Sequence, residues 1–194
     1  MAKFRNKYRI ESARLYDWDY RNPGVYFITI CIRNRKHHFG ECKEGNMKLS
    51  AMGLMVQGAW FEIPRLNPHV RLGEFIVMPN HIHGVLILDE MMDKNESNDV
   101  ETLNSNVSTT TPITNHKHEF FQEISPKSGS VSRILQQFKR ACTYHIKCTF
   151  PMVDFEWQER FHDHIIRTAA SFVGISNYIV NNPLKWEEDK FNDG

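Results

Sequence analysis

Two apolar runs, residues 70–78 and 81–88, are separated only by Pro79-Asn80. No other feature of the chain restricts its fold as much. Each run is too short to span a membrane, which takes about 20 apolar residues. They read as adjacent strands or as one bent strand. The segments around them carry their own periods. GVYFITICIR (24–33) is β-branched and aromatic and predicts a strand. Residues 40–50 predict a hairpin with its tip at Gly45-Asn46. Residues 50–66 predict a helix, with Ser50 as N-cap and Leu54, Met55, Ala59 and Trp60 at helical spacing. Val131, Leu135, Phe138, Cys142 and Ile146 form an amphipathic stripe, so 130–148 is a helix. A short strand over 161–167 and a last helix over 169–182, stopped by Pro183, complete the order β, α, ββ, α, β, α. That order suggests an α+β sandwich, with helices on an antiparallel sheet.

The chain of 194 residues suits a single domain, 1–194, interrupted by a low-complexity insertion at about 89–127. In that insertion Asn, Ser and Thr dominate and no period persists. The basic N-terminus lacks the apolar core of a secretion signal, so a cytoplasmic location is expected. No membrane association is expected. The four cysteines form no C-x-x-C pair, which argues against a cysteine zinc site or a disulfide framework. Net charge is +1, but basic residues cluster at 3–14, at 33–38, and at Arg133, Lys139, Arg140 and Lys147 on one helix. Such clusters are either solvated faces or tracks for a phosphate backbone.

The strand VMPNHIHGVLIL (77–88) carries the chemistry. Strand side chains alternate, so His81 and His83 share a face while Ile82 points the other way. Two such imidazoles are either ligands of one metal ion or two satisfied surface histidines. A second H-x-H, His116 and His118, lies in the insertion and is set aside. His164, from a third, stays a secondary candidate. On the last helix Tyr178 and Asn182 are four residues apart and share a face. A tyrosine there is either a wet residue at the core's edge or a reactive group.

Taken in order, "MPNHIHGVLIL", "WQERFHDHIIR" (157–167) and "YIVNNP" (178–183) resemble the REP-associated tyrosine transposases. These belong to the single-tyrosine transposases with a histidine–hydrophobic–histidine metal motif. The resemblance runs from about Tyr26 to Trp186 and lapses across the insertion. It implies a ferredoxin-like antiparallel sheet with helices packed on one face. It implies that His81, His83 and Asn182 hold a divalent metal, Mg²⁺ or Mn²⁺, and that Tyr178 is the nucleophile. The implied reaction is nicking and transfer of single-stranded, hairpin-bearing DNA through a 5′-phosphotyrosine. Arg133, Lys139, Arg140, Arg160 and His164 are the candidate DNA contacts. Trp157 either stacks a base or plugs the core.

The chain departs from the family's pattern in its insertion and in the short stretch after Trp186, where some relatives carry a longer region that contacts the hairpin. Among relatives, the small insertion-sequence type pairs as dimers and some REP-associated proteins act as monomers; a homodimer is the expectation here. Tyr144 is a rival nucleophile. A domesticated nicking or replication-initiating endonuclease, and a catalytically idle nucleic-acid-binding module, are the competing functions.

Overall fold

Strand β3 (Gly24–Cys31) is the spine of the structure, a computed structural model that describes residues 18–90 and 127–192 together with two short strands, β1 (Lys3–Phe4) and β2 (Lys7–Tyr8). A tight hairpin follows it, β4 (Gly40–Lys43) with β5 (Asn46–Leu49). Helices α1 (Ala51–Phe61) and α2 (Ile63–Leu66) lead into β6 (Val70–Val77) and β7 (His81–Leu88). Then come α3 (Val131–Thr149), β8 (His162–Ile166), α4 (Ala169–Val180) and a 3₁₀ segment, Asn182–Glu188. The central sheet has four strands in the order β6-β7-β3-β8, every pair antiparallel. With α1 and α3 as its crossovers, the chain runs βαββαβ, the ferredoxin-like arrangement. The two apolar runs are adjacent strands. Pro79-Asn80 is their connection, closed by the Met78 amide donating to the His81 carbonyl at 2.9 Å.

Alternation along the strands sends side chains to two different environments. Tyr26, Ile28 and Ile30 of β3 and Ile82 and Leu86 of β7 join Val56 and Trp60 of α1 and Ile134, Leu135 and Phe138 of α3 in one apolar core. Trp60 lies flat on Phe75, with ring centroids 4.6 Å apart, and meets Phe138 edge-on at 5.4 Å. Gly84 makes this possible, because a Cβ there would strike the Trp60 ring. Ser50 and Ser130 cap α1 and α3 through their hydroxyls, which accept from the amides of Gly53 and Arg133. These two helices are the layer expected on one face. The opposite face is covered by α4, whose Phe172, Ile175 and Ile179 pack on Val25, Phe27, Val85 and Ile87. Trp157 lies in the aromatic core with Phe39, Phe138 and Phe155.

Three boundaries differ from the sequence reading. The helix expected over 50–66 breaks at Glu62, because Pro64 sits at the start of α2 and cannot continue a hydrogen-bonded turn. The last helix ends at Val180, with Asn181 (φ −91°, ψ 4°) as its C-cap, and Pro183, which has no amide hydrogen to donate, sits in the first turn of the 3₁₀ segment that follows. The hairpin turns one residue earlier than expected, on Glu44 (φ 51°) and Gly45 (φ 71°), the positive pair that a type I′ turn requires. Among the described residues, no helix is long and apolar enough to cross a membrane. Nearly all of the insertion, with His116 and His118, lies outside the described residues. So do most of the N-terminal basic residues.

Candidate metal and tyrosine site

The site grows out of strand register. His83 stands opposite Thr29, and His81 opposite Cys31, so both imidazoles fall on the α4 face of the sheet. Their Nε2 atoms lie 3.1 Å apart. Both rings are sealed from solvent, at 0% and 1% exposure. Each is gripped by its other nitrogen: His81 Nδ1 lies 2.8 Å from Asn80 Oδ1, and His83 Nδ1 lies 2.8 Å from Thr29 Oγ1. Burial holds both rings neutral. It drives His81 well below the usual histidine range, helped by His83 and by the charges of Arg35, His37 and Lys190. It takes His83 down to about 3, with Lys190 adding to the shift. Neutral imidazole is the form that ligates metals.

The last helix brings the other half. Tyr178 places its hydroxyl 3.3 Å from His83 Nε2, and its ring meets those of His83 and Phe27 edge-on. The phenol is 40% exposed, while Asn182, one turn on, is 1% exposed. Burial raises the Tyr178 pKa, the nearby Asp189 charge raises it further, and the Asn182 amide draws it back. Asn182 donates through Nδ2 to Asp189 Oδ2 at 3.3 Å, and its Oδ1 is buried with no hydrogen-bond partner. An acceptor left alone in that position calls for a cation or a donor.

Asp189 is the residue that sequence reasoning missed. A carboxylate oxygen of Asp189 and one nitrogen from each of His81 and His83 all lie within 4.8 Å of one another, a group that could hold a metal ion. Asp189 sits in an acid-rich tail, 187–193, and nothing in the local pattern marks it as a ligand. Phe191 follows, its ring 4.5 Å from that of His81, and with Trp186 it walls the site. Arg35 and Lys190 both lie over the Phe191 ring. Two neutral imidazoles, a carboxylate and an orphaned amide oxygen form a mixed nitrogen–oxygen set that fits a divalent ion such as Mn²⁺.

The remaining candidates fall elsewhere. Tyr144 is 67% exposed on α3, across the sheet from the histidines. Arg133 and Arg140 lie on that same helix, and Arg133 is hydrogen-bonded to Gln136. Lys139 turns its ammonium inward, donating to the carbonyls of Gln158 at 2.5 Å and Glu159 at 3.3 Å. Arg160 is exposed in the segment that leads into β8. His164 pairs in register with Phe27, which puts it on the α4 face but two strands from β7, roughly 10 Å from a ligand position.

No family model matches the chain. An uncharacterized protein of Haemophilus influenzae is 34% identical over 179 residues, which cover 92% of this chain and 91% of that protein. Among solved structures, the fold is similar to that of a REP-associated tyrosine transposase bound to a REP hairpin. The TM-score is 0.52 at 19% identity, over 91% of this chain and 74% of the other. At that identity the likeness is one of fold.

Proposed function

The chain belongs to one family with the Haemophilus influenzae protein and has the fold of a REP-associated tyrosine transposase; from that premise we propose that it is a metal-dependent enzyme that cuts and rejoins single-stranded DNA through Tyr178. One observation carries this reading: the Tyr178 hydroxyl lies 3.3 Å from an imidazole nitrogen that is itself 3.1 Å from a second one. Nucleophile and ligand pair converge although 95 residues separate Tyr178 from His83. The solved relative's hairpin DNA makes a hairpin-bearing strand the substrate of choice.

His81, His83 and Asp189 would hold the ion, and Asn182 would turn its free oxygen to it. A divalent ion supplies charge that makes a phosphodiester more electrophilic and its leaving oxygen more stable. The chain's own residues do the rest. Helix α4 holds the Tyr178 oxygen at the edge of the pair, so the attack starts from a fixed position. The phenol needs help to ionise, because burial and Asp189 both favour its protonated form; the Asn182 amide is the group that opposes them. The Tyr178 hydroxyl gives up its proton to solvent as its oxygen bonds to phosphorus, the bond to the DNA 3′-oxygen breaks, and that oxygen takes up a proton from solvent to become a 3′-hydroxyl. One phosphodiester replaces another, so the reverse step rejoins DNA without a nucleotide cofactor. Arg133, Arg140 and Arg160 are proposed as more distant phosphate contacts; Lys139, turned inward, is the weakest of the set. Pairing as a homodimer and a cytoplasmic setting stay part of this reading.

The burial of both histidines beneath Trp186 and Phe191 favours a second reading, an idle nucleic-acid-binding module. The two part in a cleavage assay. Labelled hairpin-bearing single strands are incubated with the protein and Mg²⁺ or Mn²⁺. Cleavage that leaves a 3′-hydroxyl and stops with chelator supports the enzyme. Binding without cleavage under every metal supports the idle module and overturns the enzyme.

A further inference from the structure

We propose that Asn80 is the positioning residue that decides which nitrogen of His81 is free to hold a metal; this rests on the reading of His81 and His83 as a ligand pair. Asn80 is 1% exposed and makes three contacts. Its Nδ2 donates to the carbonyl of Arg35 at 3.1 Å and to the carbonyl of Phe191 at 2.6 Å. Carbonyl oxygens only accept, so these two anchors fix the orientation of the amide. The Oδ1 is thereby turned to His81 Nδ1, 2.8 Å away. This oxygen also only accepts, so Nδ1 carries the proton. In a neutral ring the lone pair then sits on Nε2, the nitrogen that faces His83.

The partner of His83 is of another kind. Thr29 offers a hydroxyl, which donates or accepts by rotating. His83 is therefore free to carry its proton on either nitrogen, while His81 is not. Two bare Nε2 atoms 3.1 Å apart repel each other unless a proton or a cation lies between them. In the chelated protein, His83 supplies that proton from Nε2, and Thr29 donates to its Nδ1. With an ion bound, the proton stands on Nδ1 and Thr29 accepts. The proton moves within one neutral ring, so none is gained or lost. Asn80 is thus the fixed half of the device and Thr29 the adjustable half. Asparagine suits the fixed half because it combines one acceptor with two donors. Aspartate would keep the acceptor but set lone pairs against two carbonyls, and leucine would keep only the shape.

The test uses the full chain. Ring ¹⁵N NMR of the chelated wild type should show His81 protonated on Nδ1 and His83 on Nε2. Adding Mg²⁺ should move only the His83 proton, to Nδ1. Mn²⁺ titration by calorimetry should show Asn80→Ala weakened by about 10–100-fold, as is usual when a ligand's outer hydrogen-bond partner is lost. Asn80→Asp keeps an acceptor for His81 Nδ1 but loses both anchors, so its affinity should fall between those of the wild type and Asn80→Ala. A wild-type His81 protonated on Nε2 would overturn the proposal, as would equal losses, or none, in the two variants. Failure of the wild type to bind Mn²⁺ or Mg²⁺ would instead sink the metal reading. The ring assignment of chelated His81 would still decide the role of Asn80.

Discussion

The two faces of the central sheet come from the same strands and are finished in opposite ways. On the α1–α3 face, Ile28, Ile30, Ile82 and Leu86 meet Trp60, Leu135 and Phe138, and the contacts are those of an apolar core. On the α4 face, Thr29, His81, His83 and Asn182 are buried as completely, yet Asn182 Oδ1 lacks a partner and two imidazole nitrogens confront each other. Ile82 and His83 are neighbours in one strand and belong to different problems, one of packing and, in the proposed reading, one of ligation. Among the described residues of the apolar layer, the polar atoms without partners are the indole nitrogens of Trp60 and Trp157, donors held among packed rings, whereas on the α4 face the unmet polar demands fall within one cluster of side chains, the side on which the proposed reading places the chemistry.

Substitution of those neighbours should separate the two problems most sharply. Ile82→Ala should cost about 2–5 kcal/mol in urea unfolding and leave the Mn²⁺ affinity of the folded molecules unchanged. His83→Ala should abolish the Mn²⁺ response. If Ile82→Ala removed metal binding from folded protein, the division between faces would be false.

Acid should attack the α4 face first. The His83 pKa is held near 3 in the folded chain against an ordinary 6.5, so the unfolded state binds more protons between those limits. Stability should therefore fall as pH drops from about 6.5 toward 3, and His83→Leu should flatten that slope in a chelated urea series. An unchanged slope would mean that the imidazole is not buried neutral.

Metal should act in the other direction. Mn²⁺ at about 100 times its Kd should add about 2.7 kcal/mol of stability to the wild type and none to His81→Ala. Asp189→Asn should need more Mn²⁺ for the same rise, and an unchanged requirement would remove Asp189 from the ligand set. The smallest effect belongs to the packed face. Ser130→Ala, which removes the cap of α3, should cost about 1 kcal/mol and leave metal affinity as it was.

Much of this was legible in the residues, and the reason is local period. The stripe from Val131 to Ile146 gave α3, and alternation around Ile82 put both histidines on one face. The four-residue step from Tyr178 to Asn182 put those two on one side of the chain, although Asn182 opens the 3₁₀ segment just past the end of α4. What stayed hidden depends on register and on chain segments far apart in sequence. Thr29 is one more residue of an apolar strand until pairing sets it opposite His83. Asp189 and Phe191 belong to an acidic tail until the 3₁₀ segment turns them onto the histidines. Asn80 was visible as half of a turn, and its tie to His81 needed coordinates. The assignment of α4 to its own face could not be read either, because an amphipathic helix does not say which surface it will cover.

The most direct test is to trap the protein–DNA adduct and find the tyrosine that carries it. Protein incubated with hairpin-bearing single-stranded DNA and Mn²⁺ is denatured and digested, and the nucleotide-linked peptide is sequenced by mass spectrometry. The account expects the 5′-phosphate on Tyr178 and no adduct from Tyr178→Phe. An adduct on Tyr144, or cleavage that persists in Tyr178→Phe, would contradict it.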